Sequence, residues 1–350
     1  MLRRKSSKRR PALPPPPRRA PRPAAPKRRR HRHCRPGRLL AVGLLLAVLS
    51  GAAGIIGAGV WFNTALRRIP ALMAYPDRPA PGHGTTWLLV GSDSRQELSA
   101  EQQQRLATGG DVGAGRTDTL LLIHLPGLGA DAPATVVSIP RDSYVPIPGY
   151  GRDKINAAFA LGGAPLLAQT VESATGLRLD HYAEIGFGGF ARLVDALGGI
   201  TMCPTEPLSD PLAGLDLPAG CQRLDGRAAL GYVRTRATPR ADQDRVAQQR
   251  TVLSALQHRA TSPAVWLNPW RWYAVPRAAS HAIAVDRGEH LWGLARLGWA
   301  LHGAPITLTV PIGEFSTTDS GDVVVWDHEA ASRLFDALNR DAPVPSDAFG

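Results

Sequence analysis

Short apolar runs alternate with amphipathic stretches along most of the chain. Continuous apolar runs that end at Gly, Pro or a charged residue are typical of buried strands, and they lie at Thr86–Val90, Thr119–Leu125 and Thr135–Ile139. His181–Ile185 and Ile306–Val310 are also predicted to be strands. Apolar residues with helical spacing lie at Ala164–Thr175, Phe187–Leu197, Asp242–Arg259, Glu289–Leu301 and Asp327–Asn339. This order predicts one α/β domain, with a mixed central sheet covered by helices on both faces.

A longer apolar stretch precedes this domain. Residues 39–62 run for 24 positions without a charge, and at about 1.5 Å per residue such a helix crosses a hydrocarbon layer of roughly 30 Å. Trp61 and Phe62 lie at its end, where membrane interfaces favour aromatic rings. A cleaved signal peptide is the alternative, but its apolar region is usually shorter and a convincing cleavage site is missing. We therefore predict an uncleaved transmembrane helix.

The positive charge of the chain is concentrated in front of this helix. The net charge of +12 suggests a nucleic-acid partner, yet residues 1–38 carry 16 of the 41 Lys and Arg residues and no acid. The remaining 312 residues carry 25 basic and 29 acidic side chains. The tail therefore sets the topology, with the N-terminus in the cytoplasm, and suits contact with anionic membrane lipid. It has no helix-turn-helix pattern, so we expect no nucleic-acid partner.

These segments divide the chain into four parts. We predict a disordered basic cytoplasmic tail over 1–38, a transmembrane anchor over 39–62, a Pro-rich stalk over 63–84 and an extracytoplasmic domain over 85–345. The protein is then a single-pass protein of the cell membrane, with its working domain outside the cytoplasm.

The three cysteines fall into two environments. Cys34 precedes the membrane segment and is interpreted as a lone cytosolic thiol. Cys203 and Cys221 lie in the exported part and flank a stretch rich in Pro and Gly. In an oxidising compartment such cysteines usually pair, so we predict a disulfide between them.

Polar side chains follow or enter three of the predicted strands. They are Asp93 and Arg95 in GSDSR, Arg116 and Asp118 in GRTDT, and Arg141 in SIPRD. Ligand sites of α/β sheets are built at strand ends. Two carboxylates beside three arginines indicate a Mg²⁺ ion held together with a phosphate-bearing ligand. Surface ion pairs at turns are the alternative for any single segment.

A fourth group of polar residues follows later in the chain. Arg234 and Arg236 alternate in YVRTR, so on an extended strand both side chains point to one face. Asp242, Arg245 and Gln249 share one face of the predicted helix that follows. Together they are consistent with a binding site for an anion, although a solvated stripe of charge remains open.

The ordered set GSDSR, GRTDT, SIPRD, DKINAAFALGG, YVRTR and DQDRVAQQR resembles the LytR-CpsA-Psr family. The resemblance covers about residues 86–279. It implies a phosphotransferase of the cell envelope that moves a glycopolymer from a polyprenyl-pyrophosphate carrier onto peptidoglycan. It also implies an apolar pocket under the sheet for the polyprenyl chain.

The resemblance also assigns roles by position. Asp93 and Asp118 match residues that hold Mg²⁺ on the pyrophosphate, and with Arg116 and Arg141 they form the predicted catalytic set. The predicted pyrophosphate-binding residues are Arg95, Arg116, Arg141, Arg234, Arg236, Asp242, Arg245 and Gln249, and Lys154 is a further match. A hydrolase of the same donor and a non-catalytic regulatory or lipid-glycan-binding protein remain alternatives.

Two other patterns have simpler interpretations. Residues 186–191 (GFGGFA) resemble a dinucleotide fingerprint, but no acid follows at the next strand end, so we interpret them as a packing turn. The aromatic run of Trp266, Trp270, Trp272 and Tyr273 suits either a membrane or glycan surface or core packing, and core packing is the expectation.

Overall fold

The computed structural model describes residues 36–94, 98–109, 115–127, 129–130, 132–235, 251–252, 254–302 and 305–349. The chain divides into two compact units, Met1–Gly54 and Ile55–Gly350. In the first, the described residues belong to helix α1, which runs on into the second. Ala41–Ala65 of this helix is long and apolar enough to cross a membrane, with a mean hydropathy of 2.2.

The helices are α1 Pro36–Ala65, α2 Ala100–Arg105, α3 Ile155–Thr175, α4 Phe187–Leu197, α5 Gly226–Arg234, α6 Pro263–Trp266, α7 Pro269–Ala282, α8 Leu291–His302 and α9 His328–Asn339. Residues 251–252 and 254–260 are also helical. A 3₁₀ turn, Ser346–Phe349, closes the described chain.

The strands are β1 Arg67–Ile69, β2 Thr85–Ser92, β3 Thr117–Leu125, β4 Thr135–Ile139, β5 Tyr144–Ile147, β6 Gly151–Lys154, β7 His181–Gly186, β8 Ile200–Met202, β9 Leu208–Asp210, β10 Leu215–Leu217, β11 Gln222–Leu224, β12 Ile283–Asp286, β13 Ile306–Thr309, β14 Ile312–Thr318 and β15 Gly321–Trp326. Within the described residues, seven of them form the main sheet in the order β1-β12-β7-β2-β3-β4-β13. Parallel and antiparallel pairs both occur, so the sheet is mixed as predicted.

The two faces of the sheet follow from the alternation of side chains along its strands. Leu88 and Leu120 point to one face and pack with apolar residues of α3 and α9. Trp87 and Ile123 point to the other face and pack with Leu297 of α8. The predicted α/β fold, with helices on both faces, is confirmed.

Helix α3 begins earlier than its apolar spacing indicates. It starts at Ile155 instead of Ala164 and contains a break at Gly162 and Gly163, two residues before Pro165. Gly163 has a φ of 64°, which an L residue rarely adopts. The break interrupts the helical periodicity, and the sequence pattern therefore shows only the second half of the helix.

The Pro-rich segment after α1 packs along the domain. Arg67–Ile69 pairs in parallel with β12, and the backbone N–H groups of Ala71 and Leu72 donate to Asp286 Oδ1. Arg78 binds the buried carboxylate of Glu172 at 2.8 Å. The fold thus begins well before residue 85, where the sequence alone places the domain boundary.

The smaller features of the second unit include the cysteine pair and the GFGGFA turn. Cys203 and Cys221 form a disulfide next to the β8–β11 hairpin. A Cβ at Gly189 would lie 2.3 Å from the carbonyl oxygen of Ala282, and one at Gly188 would meet Leu98. The glycines therefore allow α4 to pack closely against its neighbours, which fits a packing turn.

The aromatic run does not pack in the core. Trp266, Trp270, Trp272 and Tyr273 are all exposed, and Trp270 keeps 86% of its surface accessible. The expectation of core packing is wrong here. Trp266 ends α6 and the other three rings lie on α7, whose Ser280 and Ala282 are buried and hold it to the domain.

Candidate active site

The site begins where β2 ends and β3 starts. The two strands are antiparallel, with Ser92 opposite Thr117 and a register shift between Gly91 and Ser92. Beyond this shift the backbone N–H of Asp93 donates to the carbonyl of Arg116 at 2.9 Å, and the N–H of Arg116 donates to Asp93 Oδ1. Asp93 is therefore fixed by the backbone of the neighbouring strand.

A second carboxylate is held by an arginine of the next strand. Arg141 follows β4, and its Nη1 donates to Asp118 Oδ1 at 2.7 Å. Its Nε donates to Asp142 Oδ2 at 3.2 Å. Burial by itself lowers the pKa of Arg141, but the hydrogen bond and charge of Asp118, with the charge of Asp142, outweigh burial and raise that pKa above its ordinary value. The guanidinium is a permanent cation at the strand ends.

The Asp118–Arg141 pair links two cavities of opposite character, because Asp118 lines one and Arg141 lines the other. The first is an apolar cavity of about 510 Å³ between the sheet, α4, α5 and the β9–β10 hairpin. Its lining includes Leu89, Leu121, Ile185, Phe187, Phe190, Leu212, Leu230, Val233 and Val252. Asp93, Asp118 and Arg234 line the same cavity, so it has a charged end. The apolar pocket that the resemblance implies is thus present.

The second cavity is a polar cleft of about 670 Å³. Arg116, Arg141 and Lys154 supply its positive charge, and Asp142, Asp153 and Asp319 its negative charge. Lys154 Nζ lies 3.3 Å from Asp142 Oδ1, so the lysine is tied to the residue after Arg141. The two cavities meet at the Asp118–Arg141 pair.

Arg234 reaches the site from a helix. The alternation in YVRTR predicts an extended strand, and for Arg234 this prediction is wrong because Gly226–Arg234 is helical. Asp225 caps the helix by accepting from the backbone N–H of Ala228 at 2.8 Å. The Arg234 guanidinium lies 5.1 Å from the centre of the Phe187 ring and donates to the Ala107 carbonyl at 3.0 Å.

Five of the predicted binding residues lie outside the described residues: Arg95, Arg236, Asp242, Arg245 and Gln249. Their roles stay predictions. Among the described candidates, Asp93, Arg116, Asp118, Arg141 and Arg234 are brought together around the junction of the two cavities.

Two polar features of the site are missed by sequence reasoning. Glu184 on β7 is buried, and its carboxylate accepts hydrogen bonds from Ser92 Oγ at 2.7 Å and from the Tyr182 hydroxyl at 3.0 Å. The bond to Ser92 holds the end of β2 against β7. Asn156 is 7% exposed and lines the polar cleft, and its side-chain amide makes no hydrogen bond within the described part of the chain. A charge inside the apolar run HYAEIG and an amide inside DKINAAF are the signals that point to them.

The two aspartates suit a hard divalent cation. Each carboxylate uses Oδ1 for a hydrogen bond, and its Oδ2 has no partner among the described residues. Within those residues no group of three or more His, Cys, Asp or Glu side chains forms a metal cluster. Two carboxylates without a full protein cage fit Mg²⁺, which usually completes its shell with phosphate oxygens and water.

Comparisons with known proteins find a family model and several relatives that match the chain. Residues 77–296 match the sequence model of the LytR-CpsA-Psr family. The chain is 53% identical over 300 residues to the probable cell wall biosynthesis protein LcpB of Corynebacterium glutamicum, a match that covers 86% of this chain and 69% of that protein. It is 33% identical over 306 residues to the cell wall biosynthesis protein LcpA of the same organism, covering 77% of this chain and 59% of that protein.

A solved structure shares the fold. The LytR-Csp2A-Psr enzyme from Actinomyces oris superposes with a TM-score of 0.58 at 23% identity, covering 79% of this chain and 96% of that one. At 23% identity this likeness supports the fold alone. The family is supported by the family model over residues 77–296 and by the two relatives named above.

Proposed function

Since the chain belongs to the LytR-CpsA-Psr family, we propose that it transfers a cell-wall glycopolymer from a polyprenyl-pyrophosphate carrier onto peptidoglycan, with Mg²⁺ as cofactor. One observation carries the proposal: an apolar cavity ends at two aspartates and an arginine. A lipid pyrophosphate is a ligand with the same division, apolar along its chain and anionic at its head.

The apolar cavity binds the polyprenyl chain. Its walls come from both sides of the fold, with Leu89 and Leu121 from the sheet and Phe187 and Phe190 from α4. An isoprenoid chain has no hydrogen-bonding group, so removing it from water favours binding in proportion to the apolar area that it loses. The cavity thereby fixes where the pyrophosphate head lies.

The charged end binds the pyrophosphate. Arg141 and Arg234 are planar forks that match phosphate oxygens in pairs. Asp93 and Asp118 would hold Mg²⁺, which when bound would neutralise charge on the pyrophosphate. Because Arg141 is already oriented by Asp118, little of its freedom is lost when the substrate binds.

The reaction is the displacement of one phosphate by a hydroxyl. The acceptor oxygen forms a bond to the glycan-side phosphorus and releases its proton, the bond from that phosphorus to the bridging oxygen breaks, and polyprenyl phosphate leaves. Negative charge grows on the transferred phosphoryl oxygens and on the leaving phosphate. Arg116, Arg141 and Arg234 stabilise that charge, because fixed cations at a partly buried site act more strongly than mobile ions in water.

The polar cleft holds saccharide. Arg141 lines it, and its mixed charges and the amide of Asn156 suit a hydroxyl-rich ligand. Glycan bound there would lie next to the phosphorus that reacts.

The proposal requires the domain to lie outside the cytoplasm. The 16 basic residues before the membrane helix support this orientation. A reporter fused after residue 350 should be active outside the cytoplasm, and activity inside would contradict the arrangement.

The reaction itself is tested with a labelled polyprenyl-pyrophosphate glycan. The full chain in detergent is incubated with Mg²⁺, with and without peptidoglycan as acceptor, and lipid and glycan products are followed separately. A transferase releases polyprenyl phosphate and forms a phosphodiester to the acceptor when the acceptor is present. Equal release without acceptor would favour the hydrolase, and binding without any release would favour a non-catalytic binding protein.

Arg333→Lys serves as the matched control for changes of site arginines. Arg333 pairs with Glu329 one turn away on the exposed side of α9. Replacing Arg333 by Lys exchanges a guanidinium for an ammonium at a position that lines neither cavity.

A further inference from the structure

The described chain exposes an unusual set of large aromatic rings, which we call the aromatic face: Trp266, Trp270, Trp272, Tyr273, Trp292 and Trp299. Trp270, Trp292 and Trp299 keep 86%, 80% and 82% of their surface accessible. Each ring of this size buries a large area when it is covered, and exposed apolar groups of this kind usually mark an interaction surface. The proposed transferase chemistry makes no use of these residues.

The aromatic face is tied to the end of the membrane helix. Trp61, near the end of α1, stacks on Tyr273 of α7 with ring centres 5.8 Å apart. A Cβ at Gly59 would lie 3.7 Å from the side chain of Leu291, the first residue of α8. The side chain of Asn63 also accepts from the backbone N–H of Leu291 at 3.0 Å. Helices α7 and α8, which carry all of the aromatic face except Trp266 of α6, therefore contact the last turns of α1.

The sheet reinforces this arrangement. β1 leaves α1 directly and pairs in parallel with β12. β12 joins the end of α7 to the short turn before α8. The strand that emerges from the membrane helix thus holds the connection between the two aromatic helices, and their position relative to the last turns of α1 is fixed by backbone hydrogen bonds.

These contacts set the depth of the aromatic face. The apolar span ends at Ala65, so Trp61 lies one turn before its end, at the level where lipid headgroups meet the hydrocarbon. The Tyr273 ring, whose centre lies 5.8 Å from that of Trp61, is therefore within one ring's width of this level. Tryptophan and tyrosine favour this zone because their rings are apolar while their N–H and O–H groups still reach water.

The neighbouring charges suit an anionic surface. A groove beside Tyr273, which we call the arginine groove, is lined by three arginines and one histidine, with Asp195 as its acidic residue. The basic residues are Arg67, Arg192, Arg277 and His281. Arg277 donates to the Tyr273 hydroxyl at 2.8 Å, so one cation lies directly at the edge of the aromatic face. Basic residues at the level of the headgroups attract anionic phospholipids.

We propose that α7 and α8 form an interfacial platform: the aromatic face lies in the outer surface of the bilayer beside the membrane helix, with the arginine groove on anionic headgroups. The platform holds the domain down on the membrane in addition to its covalent anchor. It rests on the proposed membrane anchorage but not on the proposed chemistry. A glycan-binding surface is a different hypothesis, and the experiment separates the two.

The test places an environment-sensitive fluorophore on single cysteines in the full chain, in a Cys34→Ser background that keeps the disulfide. Labels at Trp270→Cys and Trp292→Cys report on the platform, and a label at Ile55→Cys reports on the membrane helix. Phe315→Cys is the matched control, because Phe315 is an equally exposed apolar residue on the β14–β15 hairpin. The protein is reconstituted in nanodiscs of phosphatidylcholine and phosphatidylglycerol, with and without brominated lipid.

We expect labels at 270 and 292 to emit at shorter wavelength and to lose most of their emission in brominated lipid, as the label at 55 does, while the label at 315 stays aqueous. Quenching at 270 and 292 should weaken when phosphatidylglycerol is left out. Quenching at 55 with aqueous emission at 270 and 292 would overturn the platform alone, and a shift there on addition of soluble glycan would favour glycan binding. Aqueous emission at all four positions would overturn the anchorage and the platform together. Quenching at 270 and 292, with no transfer by the unchanged chain in the donor assay, would contradict the transferase and support the platform.

Discussion

Arg141 and Asp118 form an ion pair across neighbouring strands, with Nη1 and Oδ1 2.7 Å apart, at the point where the apolar cavity meets the polar cleft. The register of β3 and β4 sets this pair, because Leu120 lies opposite Ile139 in the antiparallel pair. Asp118 lies two residues before Leu120, and Arg141 lies two residues after Ile139, so the same register brings them together. The pair orients a fork of donors toward the head of the proposed donor substrate. Its geometry should therefore matter as much as its charge.

Replacing Arg141 by Lys should remove most of the transferase activity. Lysine keeps the positive charge but loses the planar guanidinium, whose Nη1 and Nε donate to Asp118 and Asp142 and so fix its orientation toward the phosphate. We expect a fall in kcat on the order of a hundredfold, the usual effect of losing one donor that stabilises transition-state charge. Steady-state kinetics with labelled donor measures it, and Arg333→Lys should retain full activity. An unchanged kcat in folded R141K protein would show that the Arg141 guanidinium does not stabilise the transition state.

Filling the apolar cavity should select against long polyprenyl chains. Leu89 is partly open to the cavity, whereas its neighbour Leu88 is fully buried on the opposite face. In Leu89→Trp the larger ring occupies cavity space, so KM should rise for a long-chain donor and change little for a donor with a short prenyl chain. Leu89→Met, which conserves volume, is the control. A folded L89W protein that uses both donors equally would place the lipid elsewhere.

The strands and the two aspartates were predictable because they depend on local pattern. The continuous apolar runs of β2, β3 and β4 are strong signals, and Asp93 and Asp118 stand out as charges at their ends. Tyr232 to Thr235 carries a weaker signal, since a short apolar stretch fits a strand or a helix turn equally well. The residue that favours a helix here is the N-cap Asp225, which lies nine residues before Arg234 and therefore outside the YVRTR motif.

The cavity and the aromatic face were not predictable in the same way. The cavity is a gap between Leu89, Leu121, Phe190 and Val233, which lie far apart in sequence. Hydrophobic periodicity indicates which residues face the core, but it does not show where the packed side chains leave empty space. The aromatic helix α7 has the composition of a core element. Whether such rings face protein or lipid depends on their neighbours in space, and the contact of Trp61 with Tyr273 appears only in the structure.

Removing the disulfide should destabilise the region around the β8–β11 hairpin. Closing a loop with 18 residues of separation contributes about 3 kcal/mol through the entropy of the unfolded chain. We expect Cys203→Ser/Cys221→Ser protein to unfold at lower denaturant concentration, and reductant to do the same to the unchanged chain. Cys34→Ser should have no such effect. Identical unfolding curves with and without reductant would contradict a stabilising disulfide.

Tyr75 should make stability depend on pH in the alkaline range. Its hydroxyl donates to Glu172 Oε2 at 2.8 Å, and burial, followed by this hydrogen bond and the charge of Glu172, raises the pKa of Tyr75 from 10.0 to about 12. The folded protein holds this proton more tightly than the unfolded chain. The stabilisation is therefore complete below pH 10 and is lost as the pH rises through about 12.

Tyr75→Phe should accordingly flatten the fall in the free energy of unfolding across that range. Tyr182, whose pKa burial also raises, keeps part of the slope. Tyr150→Phe is the control, since Tyr150 is exposed. Denaturant unfolding at a series of alkaline pH values measures the slope, and equal slopes in the Tyr75→Phe protein and the unchanged chain would contradict the role of the Glu172 contact.

The two aspartates should control metal dependence without controlling the fold. Asp93→Asn and Asp118→Asn keep an oxygen that accepts from the Arg116 backbone or from Arg141, so the hydrogen bonds that shape the site are retained. What is lost is the negative charge that a divalent cation requires. We expect either variant to bind Mg²⁺ weakly in the presence of donor, by calorimetry, and to turn over slowly at any Mg²⁺ concentration.

The metal prediction separates cleanly from a loss of structure. Asp216→Asn, an exposed acid on β10, is the matched control and should keep both metal binding and turnover. The free energy of unfolding of D93N and D118N should stay close to that of the unchanged chain, because their Oδ1 contacts persist. If the double variant D93N/D118N remains folded and shows an unchanged dependence of turnover on Mg²⁺, the ion binds elsewhere, and the aspartates serve to hold Arg116 and Arg141 in place.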